Sequence, residues 1–274
     1  MQALLILLLA GAGLAIGPAL RALIVRLSVP AGKPWRRACP ACAAPLRGAA
    51  PRLARRPFPA ARGTRQPAGS PSAVPRSWLP AFLPPDRCAN CGSRFGPPPF
   101  TVEFTTALLL GALAARVHPG LVLAAACWLA LCAVPLAFVD TAVRRLPDLL
   151  TGLAFAGTTV LLLAAAAAGG AWPMLGRAVL GGIALAGFYL VLALISPSGM
   201  GLGDVKAAAA LGVMLAWRGW VALLAGGFAG ILLAAVCGIA LLILGRATRK
   251  QQIPFGPFMT AGAFVVILAG GVGS

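Results

Sequence analysis

Apolar residues in this chain come in long blocks. Segments 2–25, 99–115, 119–139, 149–169, 174–196, 205–217, 220–245 and 256–272 are each dominated by small and aliphatic residues. A helix that crosses a bilayer needs about 20 mostly apolar residues. The pattern therefore predicts an all-α polytopic membrane protein with about eight transmembrane helices. The segment 205–217 is short and 99–115 is marginal, so seven is the alternative count. The one sizeable polar stretch divides the chain into a first transmembrane helix (1–27), a loop (28–98) and a membrane core (99–274). Within the loop, 43–80 is rich in Arg, Pro, Ala and Gly and poor in large apolar residues. Such a composition cannot bury enough surface to order itself, and predicts a disordered insertion.

Composition agrees with the block pattern. The chain is 60% hydrophobic and 10% charged, with a mean hydropathy of +0.92, which excludes an ordinary soluble domain. The net charge of +18 is very unevenly distributed. Twelve of the 23 Lys and Arg residues lie between 28 and 100, and others cluster at Arg144, Arg145, Arg246, Arg249 and Lys250. The alternate connections carry only Arg116, Arg177 and Arg218. The positive-inside rule then places the 28–98 loop, the turn at 140–148, the stretch 198–206 and the turn at 246–255 in the cytoplasm, and both termini outside. The basic loop suits contact with the anionic headgroups of the lipid bilayer. Nucleic acid is not an expected partner, because nothing interleaves aromatic residues with the charge. The first segment lacks a basic n-region and is followed by Arg21 and Arg26, so it reads as a retained span rather than a cleaved signal.

The loop carries two CxxC pairs, Cys39–Cys42 and Cys88–Cys91. Each such turn brings two thiolates to one ion, and two turns complete a tetrahedral four-sulfur shell, so the loop predicts a cytoplasmic zinc knuckle. The long gap between the pairs is tolerable because loop-closure cost grows slowly with length. Disulfides, disfavoured in a reducing cytoplasm, and free thiols are the alternatives. Cys127, Cys132 and Cys237 lie in apolar spans and read as packing residues.

Only five residues are acidic: Asp86, Glu103, Asp140, Asp148 and Asp204. Asp86 reads as a solvated loop residue. Glu103 opens the second span, either as an acid favoured by the helix dipole or in a functional role. Asp140 ends the third span and Asp204 begins the sixth, both at the same membrane boundary on the charge argument. Ionisable groups at that depth are functional candidates by default. Two carboxylates sharing a partly desolvated site divide one proton between them, as aspartyl peptide hydrolysis requires. The same pair could relay protons in a transporter, and composition does not decide between the two. Before Asp204 stand Gly199, Gly201 and Gly203, which permit positive φ and the close approach of a substrate strand, or simply form a flexible turn.

Together these motifs resemble a known family. Asp140-x5-Leu146-Pro147-Asp148 with Gly199-Met-Gly-Leu-Gly-Asp204-Val-Lys206 is similar to the type IV prepilin peptidases, which are GxGD-type membrane aspartic peptidases. Ile253-Pro-Phe-Gly-Pro257 resembles their last-span motif. The segment from Cys88 through Pro99, Val102 and Glu103 resembles their approach to the second span, and Arg21–Leu27 their short arginine motif. The resemblance implies eight spans, with 99–274 as the peptidase core. It implies Asp140 and Asp204 as the catalytic pair, Gly201, Gly203 and Lys206 as residues shaping the site, and no catalytic metal. Asp148 is then structural, as a cap on the fourth span, and Lys206 helps hold the substrate or the turn, or snorkels to headgroups. Arg144 and Arg145 would fix topology, since a positive patch repels a basic leader. His118 reads as interfacial.

The implied substrates are prepilin or pseudopilin precursors, cut on the cytoplasmic side of the plasma (inner) membrane between a short basic leader and an apolar helix. Many members then methylate the new N-terminus with S-adenosylmethionine, an activity associated with the loop and its cysteines, and Glu103 is a candidate for a part in it. The chain departs from the family pattern in its long insertion between the knuckles, in Gly17-Pro18-Ala19-Leu20 before Arg21, and in the faint likeness at 78–80. Two rival readings are a proton-coupled transporter, which would spread its acids across the bilayer, and a zinc module in which Cys39, Cys42, Cys88 and Cys91 matter and the aspartates do not.

Overall fold

A computed structural model describes residues 1–30, 34–44, 88, 90–93, 96–196, 200–245 and 254–270. Residues 45–80 of the insertion predicted to be disordered, Asp86, Gly199, Ile253 and the basic cluster at 246–250 lie outside the described residues. Among the described residues there are eight helices and no extended strand. They are α1 (Gln2–Leu27), α2 (Thr101–Arg116), α3 (Leu121–Val143), α4 (Asp148–Gly169), α5 (Trp172–Ile195), α6 (Leu202–Arg218), α7 (Trp220–Ile243) and α8 (Gly256–Ala269). Each apolar block of the sequence is one helix. Five of them, α1, α3, α4, α5 and α7, are long and apolar enough to cross a membrane. At 1.5 Å per residue, α2, α6 and α8 reach only about 24, 26 and 21 Å. The protein is a multi-pass membrane protein.

Contacts between successive helices sort the ends of the bundle into two groups. At one end the turn between α3 and α4 meets the start of α6, Asp140 meets the start of α8, and Arg145 donates to the Pro30 carbonyl beyond α1. At the other end Gln2 donates to Ala115. There Arg177 donates to the Ala216 and Trp217 carbonyls, and Arg218 to that of Gly270. Arg177 and Arg218 thus satisfy the orphan carbonyls that end α6 and α8. Asp140, Asp148, Asp204 and Glu103 all belong to the first end, each within or beside the first or last turn of its helix. The acids do not form a path through the bundle, as a proton-relay transporter would need.

Helix α6 is the centre. Its residues from Ala210 to Trp217 are buried on every side, against α4, α5, α7 and α8. Without a hydrophobic drive between helices in lipid, association rests on close packing, and small residues permit it. Gly13 and Gly17 lie one turn apart on α1. A β-carbon on Gly13 would stand 2.6 Å from Ala107 Cα, and one on Gly17 2.6 Å from Glu103 Cγ. Gly17, a departure from the family pattern, is therefore the residue that lets α1 touch α2. Gly181 and Gly212 bring α5 to α6 in the same way, and Gly230 and Gly262 bring α7 to α8.

A β-carbon on Gly262 would lie 2.3 Å from the Gly230 amide nitrogen, whereas one on Gly152 would meet nothing. Gly262→Ala should destabilise the detergent-solubilised protein by about 1–3 kcal/mol. Gly152→Ala should be neutral or slightly stabilising, because alanine is the better helix former. Thermal unfolding of the two variants beside wild type checks this; equal midpoints would show that α7 and α8 are not in contact through these glycines.

Candidate active site

Asp140 sits one turn before the end of α3 and is buried. The first residue of α8 meets it there, and the Gly256 N–H donates to Asp140 Oδ2 at 2.9 Å. That N–H is one of the donors a helix start leaves free, and the helix dipole favours an anion at this end. Glycine is required by space. A β-carbon at 256 would lie 2.9 Å from Asp140 Oδ2 and 3.2 Å from its Cγ.

Asp204 is the third residue of α6 and is buried too. Its Oδ2 turns back to accept the Gly201 N–H at 2.9 Å, the carboxylate half of a capping box. Its Oδ1 is buried and has no partner among the described residues. Helices α3 and α6 are in contact, and Asp140 and Asp204 stand at the same end of the bundle. Gly203 seats α6 on the turn that follows Asp140, where a β-carbon would stand 2.8 Å from that of Leu146.

Two expectations are corrected here. Gly201 is extended (φ −95°, ψ 159°) and Gly203 is helical, so neither uses positive φ. Gly203 is needed for proximity, and Gly201 for no steric reason, since a β-carbon there would have room. Asp148 does not cap α4: the N-cap is Pro147 and the helix has no side-chain cap. Asp148 instead accepts a 2.7 Å ion pair from Lys206, which ties the start of α4 to the first turn of α6. Lys206 is therefore engaged with a carboxylate rather than snorkelling. Both side chains are largely exposed, and such pairs contribute at most about 1 kcal/mol.

Sequence reading missed Tyr189. It is fully buried in α5, its hydroxyl donates to the Gly227 carbonyl at 3.3 Å, and its ring packs on Phe255 at 5.6 Å, next to Gly256. The available signal was scarcity, because it is the single tyrosine of the chain.

Glu103, in the first turn of α2, is buried and ion-paired with the buried Arg21 of α1. The charge on Arg21 is thus used inside the bundle, not at the membrane surface. Gly13, Gly17 and Arg21 share one face of α1, the face that meets α2. His118 is exposed at the opposite end from the aspartates.

The four loop cysteines come together. Their sulfurs lie within 4.8 Å of one another, with Cys39–Cys91 at 3.8 Å and Cys42–Cys88 at 3.5 Å. A tetrahedral ion with bonds of about 2.3 Å needs edges of about 3.8 Å, so the set fits. The two knuckles repeat one geometry. Cys39 N–H donates to Ala44 and Ala43 N–H to Cys39; Cys88 N–H donates to Ser93 and Gly92 N–H to Cys88. Ala43 and Gly92 hold matching left-handed positions (φ 57° and 70°), which cost glycine nothing. The Ser93 hydroxyl, then backbone amides, hold the Cys39 thiol down to about 6, and Ser93 lowers Cys91 as well. Cys88 receives the Cys91 and Asn90 amides but is pushed up to about 11 by burial and by its sulfur neighbours Cys42 and Cys39. Two of the four thiols are thus inclined to ionise, as ligands must. Arg36 anchors the first knuckle to α1 through the Arg26 and Ser28 carbonyls.

Comparison with known proteins gives one family. Residues 123–243, from α3 to α7, match the model of the type IV leader peptidase family. Both Asp140 and Asp204 fall inside the match; the four loop cysteines, Glu103 and α8 fall outside it. Among similar proteins is the prepilin leader peptidase/N-methyltransferase of Aeromonas hydrophila, 37% identical over 193 residues, or 67% of this chain and 62% of that one. The protein of the same name from Burkholderia pseudomallei (strain K96243) is 36% identical over 199 residues, 67% of this chain and 59% of its own. That from Bacillus subtilis (strain 168) is 30% identical over 186 residues, 67% of this chain and 71% of its own. The match spans about six tenths of the Aeromonas and Burkholderia relatives. No solved structure matches.

The cysteine geometry makes a direct prediction. Elemental analysis of the purified chain should find about one tightly held transition metal ion per molecule. Cys42→Ser or Cys88→Ser should lose it. Full metal content in both variants would place the ion elsewhere.

Proposed function

This chain belongs to the type IV leader peptidase family, and from that premise we propose that it is a membrane aspartic endopeptidase. It cuts the leader from prepilin-like or pseudopilin-like precursors at the cytoplasmic face of the inner membrane, with Asp140 and Asp204 as the catalytic pair. The supporting observation is the matched way the two acids are held. Each has one oxygen fixed by a peptide N–H, both lie at one end of the bundle, and Asp204 Oδ1 is buried with no partner among the described residues. A buried carboxylate oxygen left unsatisfied is costly, and a water or a substrate carbonyl would satisfy it.

The chemistry follows from a pair that shares one proton. The ionised member takes a proton from water as the water oxygen attacks the scissile carbonyl carbon, and the protonated member donates to the carbonyl oxygen. The tetrahedral diol then collapses, the C–N bond breaks, and the amine leaves with a proton returned by the pair. No covalent intermediate forms. The Gly201 N–H orients Asp204, Gly203 lets α6 close on Leu146, and Lys206 holds that helix start to α4.

Residues 1–27, 28–98 and 99–274 are read as first span, cytoplasmic metal-knuckle loop and peptidase core. Zinc suits the four-sulfur set, as a structural ion. The relatives' names extend the proposal to N-methylation with S-adenosylmethionine. Glu103 is ion-paired with Arg21 and is assigned to joining α1 and α2.

Cleavage of a pilin-like precursor in membranes tests the pair. Asp140→Ala and Asp204→Ala should each lower the rate by at least about 100-fold at unchanged protein level; full activity in either would overturn the mechanism. Gly256→Ala should lower kcat more than it raises KM, because the added methyl displaces Asp140 without touching the substrate. An effect on KM alone would assign Gly256 to binding instead.

A further inference from the structure

An open apolar groove of about 330 Å³ lies between α2, α3 and α8. One end adjoins Asp140. Phe138 and Pro257 line it there, two residues before Asp140 and one after Gly256. From there it follows α8 past Ala261 to Leu268, a path of about 16 Å at 1.5 Å per residue. Ala137 and Ala112 are among the small residues of its other walls.

The groove offers nothing to hydrogen-bond. The two hydroxyls in its lining return to their own helices, Thr105 to the Thr101 carbonyl and Thr260 to those of Gly256 and Pro257. A polypeptide lying there must satisfy its backbone internally, which in lipid means a helix. The small residues allow that helix to come close. Its end nearest Asp140 leaves the groove where the carboxylates begin.

We propose that this groove between α2, α3 and α8 is the docking site for the apolar helix of the substrate, and that it delivers the peptide bond preceding that helix to Asp140 and Asp204. The proposal rests on the peptidase reading and adds the surface that selects the substrate. A helix lying along α8 sets the depth at which its first peptide bond emerges. Substrates are thereby chosen by an apolar helix placed directly after the cut, and a leader alone is a poor substrate.

Two measurements test it. The first compares two substrates with the same leader and cleavage site, one carrying an apolar helix and one ending a few residues after the cut. Ala137→Trp and Ala261→Trp fill the groove; Val236→Trp alters an exposed position on α7. The ratio of kcat/KM between helical and short substrates should fall at least about tenfold in both groove variants and stay at the wild-type value in Val236→Trp. An unchanged ratio in the groove variants overturns the proposal and leaves the peptidase reading intact. The second places a photo-crosslinker at 261 in the Asp140→Ala, Asp204→Ala background and adds precursor. Cross-links to the precursor's apolar helix support the groove even if wild type proves to cleave nothing, which would sink the peptidase reading alone. Capture of lipid only, or of a second copy of this chain, overturns it.

Discussion

Two carboxylates stand inside an apolar helix bundle, and each is held there by one peptide N–H. A charge at that depth must be given partners or it neutralises. Here the partners are the free amides at the beginnings of α6 and α8, so both helices start where the acids are. The arrangement also limits side chains nearby. Gly256 has no room for a β-carbon against Asp140, and Gly203 has none against Leu146. A bundle that puts two helix starts against two carboxylates has to be closely packed throughout, which explains the glycines that join α1 to α2, α5 to α6 and α7 to α8.

Much of this could be read from the chain. Eight apolar blocks gave eight helices, because in lipid a long apolar run has little choice but to be helical. Asp140 and Asp204 were conspicuous because acids are so few. The cysteines were legible because a CxxC turn is a local object, whose geometry does not depend on the rest of the fold. What could not be read was tertiary proximity. Arg21 and Glu103 are 82 residues apart, and nothing local pairs them. The glycines before Asp204 suggested unusual backbone angles, yet Gly203 serves to let another segment come near. Lys206 and Asp148 looked independent until α4 and α6 were placed side by side.

The metal-knuckle loop is not isolated from the bundle. Arg36 fastens the first knuckle to the last turn of α1, and Arg21 fastens α1 to α2 through Glu103. Arg145, in the turn between Asp140 and Asp148, reaches back to the Pro30 carbonyl at 3.3 Å. One series of contacts therefore runs from the cysteines, along the end of α1, to the turn on which α6 and its aspartate are seated. An ion that orders the knuckles orders one end of that series.

The short helices have a consequence for the surrounding lipid. A bilayer core is about 30 Å thick, and α2, α6 and α8 fall short of it while their neighbours exceed it. Helix α6 is enclosed by protein, but α2 and α8 flank the groove. Lipid on that side meets a hydrophobic belt narrower than its own, and must thin or compress to match. The pinched annulus lies along the side where the groove opens.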